Sequence, residues 1–331
     1  MSLVRKFSLA ALLAAAAFAG SSDSFAEDKE LHMGTLAPRK SPWGKVFQAW
    51  QDEVTAQSKG FKLKFHYGGQ QGDEEAMVSK MRSGQLAGAA ITSVGLSKIY
   101  KPILALQMPG LFTNWKALDD ARDALKSDAN AGFDAAGFTV LGYGDVGIAH
   151  VMSKGFPVKV PDDLKGKAPY MWSADEIAPK LFQTIGGITP VPLSVTEVLP
   201  KLNAGAVNVV NAPALAAEQL QWAPNLDHIN TTPSGFAIGA LVIKKSALDG
   251  FSEDQKKVLL STGAAAAGVL TSEIRDKDKS AFNRLKKKMT NVEPSADDLA
   301  KWKDVFKRTR EELKRGVFSP DLVTKLEGMA R

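Results

Sequence analysis

The sequence predicts an α/β protein built from two parallel sheets that extended crossover segments join. Residues 31–93 and 162–213 each alternate short extended runs with capped helices, in the order strand, helix, strand, helix, strand. Strands in this order run parallel, with the helices as crossovers. A third observation is a Ser-x-x-Gln capping pattern at 252–255, after which no proline occurs from Glu253 to about Met289. One helix over that run would approach ~55 Å at the usual rise, longer than one small domain.

The first stretch begins with a short apolar run at residues 31–35. Apolar side chains then recur at helical spacing over 42–57 and alternate with polar ones over 61–67, which predicts a helix and a half-buried strand. A second helix is expected from about Glu74 to Arg82, before Gly84 ends it. Small residues at 87–92 predict the next strand, which ends at Ser93.

The second stretch carries two Ser-x-x-Glu patterns, at 173–176 and 194–197, of the kind that cap helices. The first predicts a helix to about Thr184, with Pro179 as a kink, and the second a helix that ends near Gly205. Strands are expected around them at 167–172, 188–193 and 207–213. Ligands meet parallel sheets at the carboxyl ends of the strands. Those ends hold Tyr170–Ser173, Leu193-Ser194 and Asn211-Ala212.

Two segments are expected to connect the sheets. The glycine-rich run 142–147 predicts a loop after a strand at 138–143, where the backbone bends near a ligand or crosses between domains. We expect crossovers at about 145–160 and at 236–244, the second because it is strongly apolar and extended. The predicted domains are residues 27–148 plus 238–265 and residues 149–237 plus 266–331.

The first 26 residues have the pattern of a cleaved signal peptide. Arg5-Lys6 precedes an apolar run from Phe7 to Ala19, and small residues stand at 24 and 26, where a signal peptidase reads the chain. The apolar run is shorter than the ~20 residues that span a bilayer. The mature protein is therefore expected to begin at Glu27 and to be periplasmic. It has no cysteine, which excludes disulfides and thiol catalysis.

Composition excludes several functional classes. The formal net charge is +6, but the lysine-rich C-terminal third lacks the interleaved aromatic residues of a nucleic-acid surface. The four histidines have no metal-ligand spacing, and His150 is expected to be a polar support. There is no G-x-S-x-G nucleophile motif. We therefore expect a monomeric binding protein, not an enzyme, with no metal, no cofactor and no nucleic-acid partner.

Six segments, in this order, resemble the periplasmic solute-binding subunits of TRAP (tripartite ATP-independent periplasmic) transporters, the DctP family. They are Pro42–Gly44, Tyr67–Asp73, Leu106–Phe112, Gly142–His150, Pro157–Gly166 and Glu197–Asn208. The resemblance implies a two-domain, type II-like periplasmic-binding-protein fold with a hinged cleft and a long helix spanning both domains. It also implies a small-molecule ligand and delivery to small and large membrane subunits. The alternative is a periplasmic sensor that docks on a membrane signalling receptor.

The chain departs from this family where the ligand is expected. Family members that bind organic acids carry an arginine that forks onto a carboxylate, and here Tyr170 takes its position. Ala212 replaces a ligand-contacting asparagine. We predict a neutral or largely apolar ligand, oriented by Ser93 and Asn211, unless Arg39 or Lys40 supplies a positive charge for a carboxylate. The expected ligand-binding residues are Leu36, Trp43, Ser93, Tyr170, Trp172, Leu193, Asn211 and Ala212.

Overall fold

The first third of the chain forms the expected parallel arrangement. The structure is a computed structural model that describes residues 28–330, so the predicted signal peptide lies outside the described residues. Strand β1 pairs in parallel with β2 on one side and with β3 on the other. The predicted strands and helices are confirmed as β1 (Lys29–Thr35), α1 (Pro42–Gln57), β2 (Phe61–His66), α2 (Glu74–Arg82) and β3 (Gly88–Thr92).

The segment that follows β3 leads over the same half of the sheet and into a long strand. It contains the short helix α3 (Ser93–Ser97), a 3₁₀ turn at Lys101–Gln107 and the helix α4 (Trp115–Ala135). The next strand, β4, runs from Phe138 to Ser153. Two register shifts interrupt its antiparallel pairing, between Val140 and Gly142 and between Asp145 and Gly147.

The predicted glycine-rich loop at 142–147 is wrong, because this segment is the middle of β4. Its glycines are used differently. A Cβ on Gly142 would lie 2.4 Å from the Ala267 side chain, so glycine lets a helix approach the strand. Gly147 lies at a β-bulge and has a φ of 141°, a backbone conformation that glycine adopts without strain. The bulge therefore bends a continuous strand, as an inserted loop would otherwise do.

The middle of the chain forms a smaller, partly parallel arrangement. The elements are β5 (Tyr170–Trp172), α5 (Ala178–Ile185), β6 (Val191–Leu193), α6 (Val195–Asn203), β7 (Val209–Pro213) and α7 (Ala214–Gln219). β5 and β6 are parallel, as predicted. β7 instead pairs antiparallel with β4, and it meets the start of β5 through one parallel bridge between Pro169 and Val209.

The two capping boxes predicted in this part of the chain, at 173–176 and 194–197, have different outcomes. At 194–197 the box is confirmed, because the Glu197 carboxylate accepts the Ser194 N–H at 2.9 Å. At 173–176 it is wrong: Asp175 Oδ1 accepts the Ile177 N–H at 2.8 Å, and α5 begins only at Ala178. Pro179 then lies in the first turn, where a missing N–H costs no helical hydrogen bond, so it starts the helix and does not kink it.

β4 and the later strand β9 connect both parts of the molecule. After β8 (His228–Asn230), β9 (Gly235–Lys244) inserts between β3 and β4, antiparallel to both. The end of β4, from Ala149 to Ser153, pairs with β7, and its last residues also pair with β8. With β10 (Thr290–Val292), the main sheet within residues 28–330 has the order β10-β8-β4-β9-β3-β1-β2, and β7 lies beside β4. The expected extended crossovers thus exist as one shared strand pair. The prediction of two parallel sheets is wrong, because this pair joins β7 and β1–β3 into one mixed sheet and leaves only β5 and β6 apart.

The predicted long helix is α8, which runs from Glu253 to Lys288. Its 36 residues span ~54 Å, and the predicted box at its start is present, with Ser252 Oγ accepting the Gln255 N–H at 3.2 Å. Trp50 on α1 donates to Thr262 Oγ1 of α8 at 3.0 Å. Strand β10 (Thr290–Val292), helix α9 (Ala296–Gly316) and helix α10 (Pro320–Met329) complete the fold. None of the described helices combines the length and apolarity that a membrane span requires.

Candidate functional site

A cavity of about 350 Å³ lies where the carboxyl ends of β1, β3, β5 and β7 meet the middle of β4 and the start of β9. We call it the cleft cavity. Its volume falls within the range of small-molecule binding sites. Both parts of the sheet contribute to it because β4 and β9 run past it. The cavity thus lies at the strand carboxyl ends, the edge of the fold at which the sequence predicts a ligand.

Aromatic side chains supply much of the wall of the cleft cavity. The Tyr170 ring packs edge-to-face on Trp222, with ring centroids 5.7 Å apart. Trp302 and Phe306 of α9 form another pair, with centroids 5.4 Å apart. All four residues line the cavity. Such walls favour a ligand with apolar surface, because burial of apolar area is worth roughly 25 cal/mol per Å².

The Tyr170 hydroxyl is a polar group without a partner in this wall. The oxygen is shielded from water and makes no hydrogen bond within residues 28–330. Burial, and then the nearby carboxyl groups of Asp73 and Asp175, raises the pKa of this phenol well above its ordinary value. Tyr170 is therefore a neutral phenol with its hydrogen-bonding capacity unused.

Trp172 is held across the cavity by a hydrogen bond. Its indole Nε1–H donates to Asp73 Oδ2 at 2.8 Å. Asp73 also caps α2, by accepting the Glu74 N–H at 2.7 Å, and accepts the Val195 N–H at 3.2 Å. The Trp172 ring is fixed in this way, and its only donor is already used.

Two carboxyl groups that the sequence did not indicate, those of Glu74 and Asp175, line the cleft cavity. Glu74 accepts the backbone N–H and the hydroxyl of Thr92, both at 2.8 Å, and the Gly95 N–H at 2.9 Å. Burial raises the pKa of Glu74 to about 7, despite these hydrogen bonds. Burial also raises the pKa of Asp175. A glutamate in the first turn of a helix is common on surfaces, so its burial had no local sequence signal.

A buried carboxylate joins the cavity floor to two helices. The Asp145 side chain is fully buried and accepts from Arg122 Nη1 of α4 at 2.8 Å and from Arg275 Nε of α8 at 2.6 Å. Its backbone oxygen accepts the Trp43 Nε1–H at 3.3 Å. Asp119, which is partly exposed, contacts the same two arginines. The position of Trp43 in the wall thus depends on a charge cluster.

Most of the predicted ligand-binding residues lie at the cleft cavity. Those that line it are Leu36, Trp43, Tyr170, Trp172, Asn211 and Ala212. Asn211 Oδ1 accepts from the Ser234 hydroxyl at 2.6 Å. Ser93, the first residue of α3, and Leu193, the last residue of β6, are buried and are not among the lining residues. Their expected contact with a ligand has no support in this geometry.

The basic residues considered as an alternative lie elsewhere. Arg39 and Lys40 are exposed and do not line the cavity. The Arg39 guanidinium instead lies over the Tyr67 ring, 5.9 Å from its centroid. Indeed, no lysine, arginine or histidine of the described chain is among the residues that form the cavity wall. Within that range, the wall residue Asp145 is paired with Arg122 and Arg275, which lie outside the wall and are already engaged.

His150 has the supporting role that was predicted. Its Nδ1 lies 3.0 Å from the Asn230 backbone oxygen, and its ring stacks on Phe282 with centroids 4.1 Å apart. Burial lowers the pKa of His150 to about 4, so the ring is neutral at pH 7. Over the described range 28–330, His, Asp and Glu side chains form no group that could hold a metal ion.

Gln107, at the end of the 3₁₀ turn that follows α3, is a wall residue that the sequence did not predict. It lines the cleft cavity, and its Oε1 is buried without a hydrogen-bond partner in the described part of the chain. It lies in the segment 106–112, which in the sequence indicates only the resemblance to the family and no ligand contact. Spacing along the sequence gives no sign that this side chain turns inward, because a 3₁₀ turn of this kind has no regular apolar period.

Fold and cavity together define a ligand receptor. The family model of the bacterial extracellular solute-binding proteins, family 7 (DctP), matches residues 33–315. The chain belongs to this family, and the predictions of a solute-binding protein and of no enzymatic activity are thereby confirmed. The family is extracytoplasmic, in agreement with the predicted periplasmic location.

Solved structures share the fold at low sequence identity. The sugar acid binding protein DctPAm from Advenella mimigardefordensis, in complex with galactonate, has a TM-score of 0.85 at 18% identity and covers 92% of this chain and 98% of its own. A TRAP solute-binding protein from Sulfurospirillum deleyianum with bound succinate has a TM-score of 0.84 at 15% identity and covers 92% of this chain and 99% of its own. The predicted type II-like fold with a long helix is confirmed.

Two further relatives complete the comparison. A TRAP protein from Ralstonia eutropha with bound (S)-2-acetolactate has a TM-score of 0.84 at 19% identity and covers 91% of this chain and 98% of its own. The probable solute-binding protein AdeT1 of Acinetobacter baumannii is 28% identical over 145 residues, which are 44% of this chain and 47% of AdeT1. The chain thus spans about half the length of that curated relative.

Proposed function

We propose that this protein captures a neutral or largely apolar small molecule in the cleft cavity and delivers it to the membrane subunits of a TRAP transporter. The observation that carries the proposal is the composition of the wall. It joins aromatic surfaces with acidic groups, and it includes no cationic side chain of the described residues. A carboxylate buried there would lack a paired cation, and its desolvation costs several kcal/mol.

A carboxylate ligand is the second candidate, because the related structures are named with galactonate, succinate and acetolactate. It requires Arg39 or Lys40 to move into the cavity. Calorimetric titration against succinate, galactonate, lactate, sialic acid and a panel of neutral aromatic and lipid-like compounds separates the candidates. Tight binding of an acid, abolished in Arg39→Ala or Lys40→Ala but retained in Tyr170→Ala, would overturn the proposal of a neutral ligand.

Closure around a hinge is part of the proposal. The domain division into 27–148 plus 238–265 and 149–237 plus 266–331 stays a prediction, supported by the passage of β4 and β9 from one part of the sheet to the other. The β4 bulge at Gly147 lies beside that boundary. A bend concentrated in a few such residues is the usual basis of hinge closure.

Ligand binding should contract the molecule. In small-angle X-ray scattering, the radius of gyration of the mature protein is expected to fall when a saturating concentration of a calorimetrically verified ligand is added, because the two domains close on it. The control is a panel compound without measurable binding, which should leave the radius unchanged. The same radius with and without saturating ligand would contradict a hinged receptor.

Export of the chain should remove its first 26 residues. N-terminal sequencing of the protein recovered from the periplasm is expected to begin at Glu27, because the small residues Ser24 and Ala26 fit the signal peptidase. Ala26→Arg should block this cleavage and leave precursor. Recovery of the full-length chain from the cytoplasm, or a start at another residue, would count against the predicted address.

The membrane partner separates transport from sensing. A pair of small and large TRAP membrane subunits encoded beside this chain supports the transporter. The alternative remains a periplasmic sensor that docks on a membrane signalling receptor. Uptake of a verified ligand by cells that lack this chain decides between the two. Uptake should be lost if the chain is a transporter subunit and should persist if it is a sensor.

A further inference from the structure

We propose that the cleft cavity recognises the polar end of its ligand as a hydrogen-bond donor, a hydroxyl or an ammonium group, which Tyr170 and Gln107 bind, and that it disfavours carboxylates. This inference rests on the proposed function of the cavity as a ligand receptor. It narrows that function from a neutral or apolar ligand to one class of head group. It also assigns a specificity-determining role to two side chains.

The first support is that the unpaired polar atoms of the wall are acceptors. Gln107 Oε1 and the Tyr170 hydroxyl both line the cleft cavity, are shielded from water, and have no hydrogen-bond partner in residues 28–330. A carboxamide oxygen only accepts, and a phenol has two acceptor lone pairs beside its one donor. Because buried polar groups are nearly always paired, Gln107 Oε1 needs a partner that donates, and the Tyr170 hydroxyl is able to accept from such a partner.

The second support is that several donors around the cavity are already used by its own carboxyl groups. Asp73 accepts hydrogen bonds from the Trp172 indole N–H and from the Val195 N–H. Glu74 accepts hydrogen bonds from the Thr92 and Gly95 N–H groups, and Asp175 accepts one from the Ile177 N–H. A carboxylate ligand would find few donors left to stabilise its oxygens. A ligand that brings its own donor does not need them.

The third support is the charge around Tyr170. Besides burial, the carboxyl groups of Asp73, Asp175 and Glu197 each raise the pKa of this phenol, which shows that acidic groups stand close to it. Two nearby lysines offset this field only in part, because both pair with Glu176, although Lys98 also acts on Asp175. Lys101 pairs with Glu176 at 2.8 Å, and Lys98 lies 3.8 Å from the same carboxylate. A negative region attracts an O–H or N–H and repels a carboxylate.

Three probe compounds that share a phenyl ring and differ in their polar head group test this inference. They are 2-phenylethanol, 2-phenylethylamine in its ammonium form and phenylacetate, titrated by calorimetry into the mature protein at pH 7. The alcohol, the ammonium or both should bind at least about tenfold more tightly than phenylacetate. The comparison of the first two shows whether the head is neutral or charged. Phenylacetate binding as tightly as both others, or no binding by any probe, overturns the inference.

Substitution of the two acceptors is the matched test. Tyr170→Phe and Gln107→Leu should each weaken the better donor probe by about three- to tenfold, while binding of ethylbenzene, which has the same body without a head group, stays unchanged. Tyr67→Phe, outside the cavity wall, is the control and should change neither. Unaltered affinity of the donor probe in both cavity variants would overturn the assignment. That outcome would leave the receptor function standing, since that is tested by the wider panel and by contraction on binding.

Discussion

Asp145→Asn should lower the free energy of unfolding by about 3–5 kcal/mol, the loss expected when a buried ion pair is deprived of one partner. Asp145 is fully buried between Arg122 and Arg275, each within 2.8 Å. An asparagine retains one acceptor, but its amide turns two N–H groups toward guanidinium groups that only donate. Urea unfolding of the mature protein, followed by tryptophan fluorescence, measures the change.

Asp119→Asn is the control for the charge cluster. Asp119 contacts the same two arginines, but a third of its side chain is exposed. Water can replace part of its role, so we expect a loss of about 1 kcal/mol or less. Equal losses in the two variants would mean that burial of the Asp145 carboxylate is not the source of the effect. A loss below about 1 kcal/mol in Asp145→Asn would contradict the proposed importance of the cluster.

Raising the pH should destabilise the wild-type protein relative to Glu74→Gln. Burial raises the pKa of Glu74 from 4.5 to about 7, so across this pH range the folded state retains a proton that the unfolded state has lost. Stability then falls as pH rises, by up to about 1.4 kcal/mol for each step of one in pH. Over the window between the two pKa values the total loss is on the order of 3 kcal/mol. Glutamine does not titrate, so the variant lacks this pH dependence.

The measurement is the difference in the free energy of unfolding between wild type and Glu74→Gln, taken from pH 4.5 to pH 7.5. Glutamine itself disturbs the contacts with Thr92 and Gly95, which gives a constant offset. Other titrating groups occur in both proteins and cancel. The same change at the exposed neighbour, Glu75→Gln, is the control for the effect of the substitution at this end of α2. A wild-type to Glu74→Gln difference that stays flat with pH would show that Glu74 has an ordinary pKa in the fold.

Local patterns were sufficient to predict most of the fold. Alternation at 61–67 and helical spacing at 42–57 are short-range properties, and the structure has β2 and α1 there. The capping box at Ser252 predicted the start of α8 to the residue. These signals persist because each reflects contacts within a few residues of the chain.

The errors arise where distant contacts decide the structure. The glycines of β4 form a strand because β9, about a hundred residues later in the chain, pairs beside them. Distant contacts also decide the site: strand ends predict Tyr170 and Trp172, whereas Glu74 and Gln107 become wall residues only through tertiary packing. The error at Ser173 is local instead, because Asp175 accepts the Ile177 N–H and the helix begins only at Ala178.

The position of β9 also governs the order in which the fold can be completed. β9 separates β3 from β4, so both strands keep an unpaired edge until residues 235–244 join the sheet. Contacts so distant in sequence slow folding, because the chain must close a long loop before they are formed. An unfinished chain would expose these edges to pairing with other chains. Most of the sequence must therefore be available before the central sheet can close, and delayed folding is compatible with passage across a membrane in an extended form.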